Sequence, residues 1–145
     1  MLPEAFELVI VTPVRQLLRV RGVEVTLPGA NGYLGILPGH APLMTELGIG
    51  ELTYREKDKG QADPVSVIRG FAEVLQDRVT VLAETAELAA EIDLERAEAA
   101  KARAEKRLAS GDTNIDWDRA AVALQRALIR IQVARKHHGV PANSR

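Results

Sequence analysis

The chain has 145 residues, 46% apolar and 27% charged, which suits one ordinary domain, or a small domain with an appendage, and argues against disorder. A net charge of -1 argues against a general nucleic-acid binder, and the lack of any cysteine excludes disulfides, thiolate metal sites and thiol catalysis. No apolar run approaches the roughly 18–20 residues that span a bilayer. The longest near the start, Leu8 to Val11, is too short for a signal peptide, and Met1-Leu2-Pro3-Glu4 lacks the look of a transit peptide. The chain is expected to stay in the cytosol or to reach a membrane only through partners, without insertion.

Up to about Leu82 the pattern is that of strands. Phe6 to Thr12 is a β-rich run with Phe6, Leu8 and Ile10 on one face, and Gln16 to Arg21 and Val23 to Leu27 follow. Further runs are Tyr33 to Leu37, Ile49 to Tyr54, Val65 to Ile68, Phe71 to Leu75 and Val79 to Leu82. Turn formers separate them: Gly22, Pro28-Gly29, Asn31-Gly32, Pro38-Gly39, Asp63-Pro64 and Gln76-Asp77, with Lys57 to Gly60 as a solvated hairpin tip. Many short strands at such spacing predict an antiparallel sandwich or flattened barrel. With aromatics at only 3%, its core must be Val, Leu, Ile and Ala.

From Glu84 the composition turns to Ala, Glu, Lys, Arg and Leu, which is helix composition. Asp93 caps a first predicted helix that runs to about Ala109, and Ser110 to Asn114 breaks it, with Gly111 as the left-handed residue beyond its end. Asp116 caps a second, to about Lys136, closed by Gly139 and Pro141. A loop this short predicts an antiparallel hairpin. The expected apolar stripe of the second helix is Ala121, Leu124, Leu128 and Ile131. The first helix has only Leu94 and Leu108 as large apolar residues, so little area leaves water and the hairpin should be marginally stable. The fold class is thus α+β, with residues 1–87 as the sandwich and 88–145 as the hairpin.

Most candidate chemistry fails. Gly32 to His40 is glycine-rich but lacks the Gly-Lys-Ser/Thr ending of a phosphate loop and leads into no helix. His40, His137 and His138 lack partners at ligand spacing, so no metal site is expected, and no nucleophile–base pattern stands out. Charge is uneven, however. Residues 1–90 carry 8 basic and 12 acidic side chains, whereas residues 91–145 carry 11 and 8, which asks for an acidic or phosphate-bearing partner. Arg119, Arg126 and Arg130 share one face of the second helix, and Arg96 and Arg103 one face of the first. Antiparallel pairing would bring Arg96 level with about Arg130, and Arg103 with about Arg126. Guanidinium groups so placed repel unless an anion intervenes, although solvated faces laced by Glu/Arg pairs are the plainer alternative.

Gly35-Ile36-Leu37-Pro38-Gly39-His40-Ala41-Pro42-Leu43 closely resembles the signature of the ATP synthase epsilon subunit family. Val9 to Pro13, Gly70 to Val74, Val79 to Ala83 and Ile92 to Ala97 resemble further family segments in the same order. The resemblance implies a non-catalytic subunit at the cytoplasmic face of the bacterial inner membrane. Its sandwich would bind the gamma subunit and the c-ring, with Leu37, Pro38, Gly39 and His40 as the turn facing them. It implies a mobile hairpin that reaches the alpha/beta catalytic subunits when extended and restrains ATP hydrolysis, with Arg119, Arg126, Arg130, Arg135 and Lys136 facing beta. It also implies ATP as a regulatory ligand of the folded hairpin, with no cofactor required. Ile92, Asp93, Arg96 and Ala97 match the family's nucleotide motif, and Glu87, Arg103, Arg126 and Arg130 its remaining positions. Arg69 departs from the family, standing where a first glycine is common before Gly70. The Lys57 to Pro64 hairpin is longer than in shorter members, and the 137–145 tail matches no pattern. A free-standing ATP-sensing domain is the alternative reading, and a β-scaffold with a dimerising hairpin a third.

Overall fold

The computed structural model describes residues 1–137. They divide into two compact units, the first Met1–Leu88 and the second starting at Ala89.

The first unit holds six strands: β1 (Phe6–Val11), β2 (Gln16–Gly29), β3 (Gly32–Ile36), β4 (Leu43–Glu56), β5 (Ala62–Val74) and β6 (Arg78–Leu88). Their order is β1-β6-β5-β4-β2-β3, and β1 also pairs β2, so five strands close a ring and β3 extends β2 as a hairpin. All pairs are antiparallel except β1–β6, which runs parallel. Closure leaves few free edges, which protects a sheet from pairing with other chains. Phe6, Leu8 and Ile10 point inward, as their alternation predicts, and meet Val25, Leu27, Leu52, Val65, Val67, Val79 and Val81 in one aliphatic core.

The strands are longer and fewer than the sequence pattern suggests, because alternation breaks where a strand changes face, not where it ends. Along β5 the core-facing residues are Val65 and Val67, then Ala72 and Val74; along β6 they are Val79, Val81 and Ala83, then Ala86. The change in β5 falls at Arg69–Gly70, where φ is 56° and 136°. A Cβ on Gly70 would collide with the carbonyl oxygen of Leu82, so this position excludes any side chain. Gly22 acts similarly in β2: the strand pairs with β1 up to Gly22 and with β4 beyond it, with a register shift between Gly22 and Glu24.

The second unit begins with a 3-10 turn (Ala89–Glu91), followed by α1 (Leu94–Ala109) and α2 (Trp117–His137). Asp93 caps α1, its Oδ1 accepting from the Arg96 amide at 3.0 Å, and Asp116 caps α2, its Oδ1 accepting from the Arg119 amide at 3.0 Å. Gly111, at φ 70°, provides the left-handed residue after α1. The expected stop at Gly139 and Pro141, and His138, lie outside the described residues.

The helix seam corrects the predicted stripe. Ala121 is exposed, Leu128 is 44% exposed and Leu124 only half-buried; of the expected four, Ile131 alone is buried. The buried positions of α2 are instead Ala120, Ala127, Ile131, Val133 and Ala134, and those of α1 are Ala97 and Ala104. Alanine thus recurs every seventh residue on both helices, the repeat of a coiled-coil seam, and small side chains let two helices approach closely. Ile92 packs with Ala89, Val133 and Ala134 at the open end. An alanine seam removes little apolar area from water, and the shortage of large buried side chains noted for α1 extends to Ala120, Ala127 and Ala134 of α2.

Candidate functional site

The seam fixes where the arginines go. Arg96, Arg103, Arg119 and Arg126 each stand immediately before a seam alanine: Ala97, Ala104, Ala120 and Ala127. One residue is about 100° of helix rotation. In an antiparallel pair, positions preceding the seam on both helices fall on the same flank, and positions following it fall on the other. Glu98 and Arg135, each following a seam alanine, meet in an ion pair at 3.4 Å, which verifies the geometry. Arg130 lies three residues after Ala127 and four before Ala134, about 40–60° from the seam on the arginine side. Asp93, four residues before Ala97, falls on that flank too.

Five arginines and the carboxylate of Asp93 therefore line one side of the hairpin. Arg96, Arg103, Arg119 and Arg126 are exposed, and Arg130 is half-buried. Among the described residues no acidic group lies within 4.0 Å of Arg96, Arg103 or Arg126. Counting one turn from the Ile92–Val133–Ala134 cluster brings Arg96 to about the level of Arg130. The other matched residues build the hairpin: Ile92 and Ala97 are buried, and one oxygen of Asp93 is used as the helix cap. Glu87 lies on β6, in the sandwich unit, opposite Ser66 of β5. Of the basic residues of α2, Arg135 is held by Glu98, while Arg119 and Lys136 are exposed.

The Leu37–His40 turn forms an apolar tip on the sandwich. Gly39 (φ 87°) donates its amide to the Gln76 carbonyl at 2.8 Å, and the Leu2 side chain lies where a Cβ on Gly39 would stand. His40 Nδ1 bonds the Ala41 carbonyl at 2.7 Å. Leu2, Leu37 and Leu75 are all exposed. No group of three metal-ligating side chains occurs among the described residues, and no described helix is long and apolar enough to cross a membrane.

A closed sheet that offers an apolar tip, joined to a hairpin that offers a row of cations, defines a small binding subunit in two parts. Comparison with known proteins agrees: the β-sandwich domain of the ATP synthase delta/epsilon chain matches residues 5–89, and its long α-helix domain matches residues 90–135. The chain belongs to the ATP synthase epsilon-chain family, whose members are non-catalytic subunits. The ATP synthase epsilon chain of Solibacter usitatus is 46% identical over 135 residues, covering 93% of this chain and 99% of that one. That of Geobacter sulfurreducens is 49% identical over 136 residues, covering 92% and 96%. Among solved structures, a chain of the Euglena gracilis mitochondrial ATP synthase (OSCP/F1/c-ring) shares the fold, with a TM-score of 0.77 at 23% identity over 88% of this chain and 80% of its own. A chain of the Tetrahymena thermophila mitochondrial ATP synthase central stalk/c-ring gives a TM-score of 0.56 at 14% identity over 91% and 95%.

Proposed function

We propose that the chain is a central-stalk subunit that couples proton-driven rotation to ATP synthesis and restrains ATP hydrolysis through its hairpin, with ATP holding the hairpin folded. The observation that carries the regulatory part is the arginine flank. Like charges in a row repel, and an alanine seam has little with which to oppose them, so a bound polyanion would stabilise this hairpin more than a typical one. Guanidinium forks suit phosphate oxygens, whereas the remaining oxygen of Asp93 can only accept and therefore suits a hydroxyl or amino group of the nucleoside.

In the released form, Arg119, Arg126, Arg130, Arg135 and Lys136 would face acidic groups of the beta subunits. Trp117 and Leu128, 52% and 44% exposed, would add apolar contact on the same helix. Arg126 and Arg130 cannot serve phosphate and beta together, so ATP opposes inhibition through its differential affinity for the folded state. The sandwich would hold the gamma subunit and present the Leu37–His40 tip to the c-ring, peripherally at the cytoplasmic face of the membrane. The test is ATP-dependent thermal stabilisation of the isolated chain. Arg126→Ala should weaken ATP binding by about 10- to 100-fold, the worth of one charge-assisted contact, with the stabilisation shrinking in step. Wild-type protein that gains no stability at millimolar ATP would refute the nucleotide role.

A further inference from the structure

The two helices of the hairpin carry the same sequence pattern. Ile92-Asp93-Leu94-Glu95-Arg96-Ala97 leads into α1, and Ile115-Asp116-Trp117-Asp118-Arg119-Ala120 leads into α2. The pattern continues in step: Arg103, Ala104 and Arg107 stand at the same distances from Asp93 as Arg126, Ala127 and Arg130 do from Asp116. The local structures match as well. Each aspartate caps its helix through Oδ1, accepting from the amide of the arginine three residues on, at 3.0 Å in both. In both helices the repeated alanines form the buried seam.

Two like helices packed antiparallel are related by an approximate twofold axis, so a contact made by one recurs with the roles exchanged. The cluster described above takes Asp93 and Arg96 from α1 and Arg126 and Arg130 from α2. Its image at the loop end takes Asp116 and Arg119 from α2 and Arg103 and Arg107 from α1. Register agrees. Arg107 lies eleven residues beyond Arg96, and Arg119 eleven before Arg130, so Arg107 and Arg119 are level just as Arg96 and Arg130 are. Arg107 follows Ala104 by three residues, as Arg130 follows Ala127, and so falls on the same flank. Arg103, Arg107 and Arg119 are exposed, and among the described residues no acidic group lies within 4.0 Å of them. Asp112, another acid of the loop, is occupied by the Asn114 amide at 2.9 Å.

We infer that the loop end of the hairpin is a second nucleotide site, in which Arg103, Arg107 and Arg119 hold the phosphates of a nucleoside triphosphate and the free oxygen of Asp116 accepts from its nucleoside. This rests on the reading above that the first cluster binds ATP. Arg103 belongs to the loop-end site, being four residues from Arg107 and seven from Arg96. Eleven residues of helix separate the two levels by about 16 Å, beyond the screening length of ~8 Å at physiological salt, so two bound polyanions repel one another little. Filling both sites neutralises the whole arginine flank, where one ligand leaves half of it unopposed.

The experiment is equilibrium dialysis of the full chain against ATP up to millimolar concentration, counting nucleotides bound per chain. Wild type should bind two. Arg107→Ala should bind one, with at least tenfold weaker affinity at the loop end and the first site within twofold of wild type; Arg96→Ala should keep the loop-end site. Arg107 is exposed, and its carbonyl, which accepts from the Ser110 hydroxyl at 2.9 Å, is retained in alanine, so helical circular dichroism should be unchanged. Should either alanine lower it, Arg107→Gln and Arg96→Gln take its place. Hydrogen exchange locates the ligand: ATP should protect the amides of residues 103–119 in wild type and Arg96→Ala but not in Arg107→Ala. One nucleotide per wild-type chain, lost in Arg96→Ala and kept in Arg107→Ala, would overturn the second site and leave the first reading standing. One nucleotide lost in both variants would mean a single ligand spanning the flank, and would overturn it too. A wild-type chain that binds no ATP would instead sink the nucleotide reading itself, and this inference with it.

Discussion

Asp93 caps a helix, and substitutions can separate that role from the one proposed for it in holding ATP. Its Oδ1 caps α1 through the Arg96 amide, and an aspartate cap is worth about 1 kcal/mol over alanine. Asparagine caps about as well as aspartate, losing only the attraction between charge and helix dipole, roughly 0.3–1 kcal/mol at an exposed site. Asp93→Asn should therefore leave the first turn of α1 formed, whereas Asp93→Ala should fray it. For ATP the order differs. With its oxygen held by the cap, an asparagine would turn its NH2 towards a donor of the nucleoside, so both variants should lose about 10- to 100-fold in affinity, the range for a charge-assisted bond. At a fixed excess of ATP each tenfold loss removes about 1.4 kcal/mol of ligand stabilisation. The assay is hydrogen exchange at the α1 amides, with and without ATP. Fast exchange without ATP in Asp93→Ala only, and lost ATP protection in both, is the expected result. An Asp93→Asn chain that responds to ATP like wild type would show that the carboxylate is a cap and nothing more.

Three other perturbations follow from the geometry. Arg69 sits at φ 56°, a conformation that costs an L-residue about 1–2 kcal/mol, of which glycine's greater unfolded freedom returns roughly half; Arg69→Gly should raise the melting temperature of the sandwich by several degrees, while Gly70→Ala should lower it. Ala127→Leu overfills the alanine seam at a cost of about 1–3 kcal/mol, which should lower helical circular dichroism and the ATP response while strand unfolding is unchanged. Burial, then the charges of Asp63 and Glu56, raises the pKa of Tyr54 above 10.0. The unfolded chain gives up that proton first, so stability should fall as pH rises past about 10, a component that Tyr54→Phe removes in an alkaline denaturation series.

Elements whose signal is local were legible in the sequence. Both helix caps, the Gly111 break, the Lys57–Gly60 tip and the inward face of β1 depend on a few adjacent residues with one backbone preference. Strand lengths were not legible, because Gly22 and Arg69–Gly70 look like strand ends when they mark places where a continuous strand swaps faces. Arg69 hid the matter further, since an arginine gives no hint of positive φ. The seam of the hairpin was misassigned for a related reason: leucines dominate a periodicity count, yet the buried repeat is alanine, and Leu128 is left outside. That same correction sharpens the candidate site, for it is the alanine repeat that sets the arginines on one flank.

The central claim is that the hairpin restrains ATP hydrolysis and that ATP relieves the restraint. The most direct test compares hydrolysis by the assembled synthase holding either the full chain or a chain ending at Leu88, across ATP concentrations. The shortened chain keeps every residue of the sandwich core, so it should fold and remain bound in the complex. Hydrolysis should rise on truncation at low ATP and change much less at high ATP, where nucleotide already keeps the hairpin folded. Equal hydrolysis at every ATP concentration, with the shortened chain still in the complex, would contradict the account.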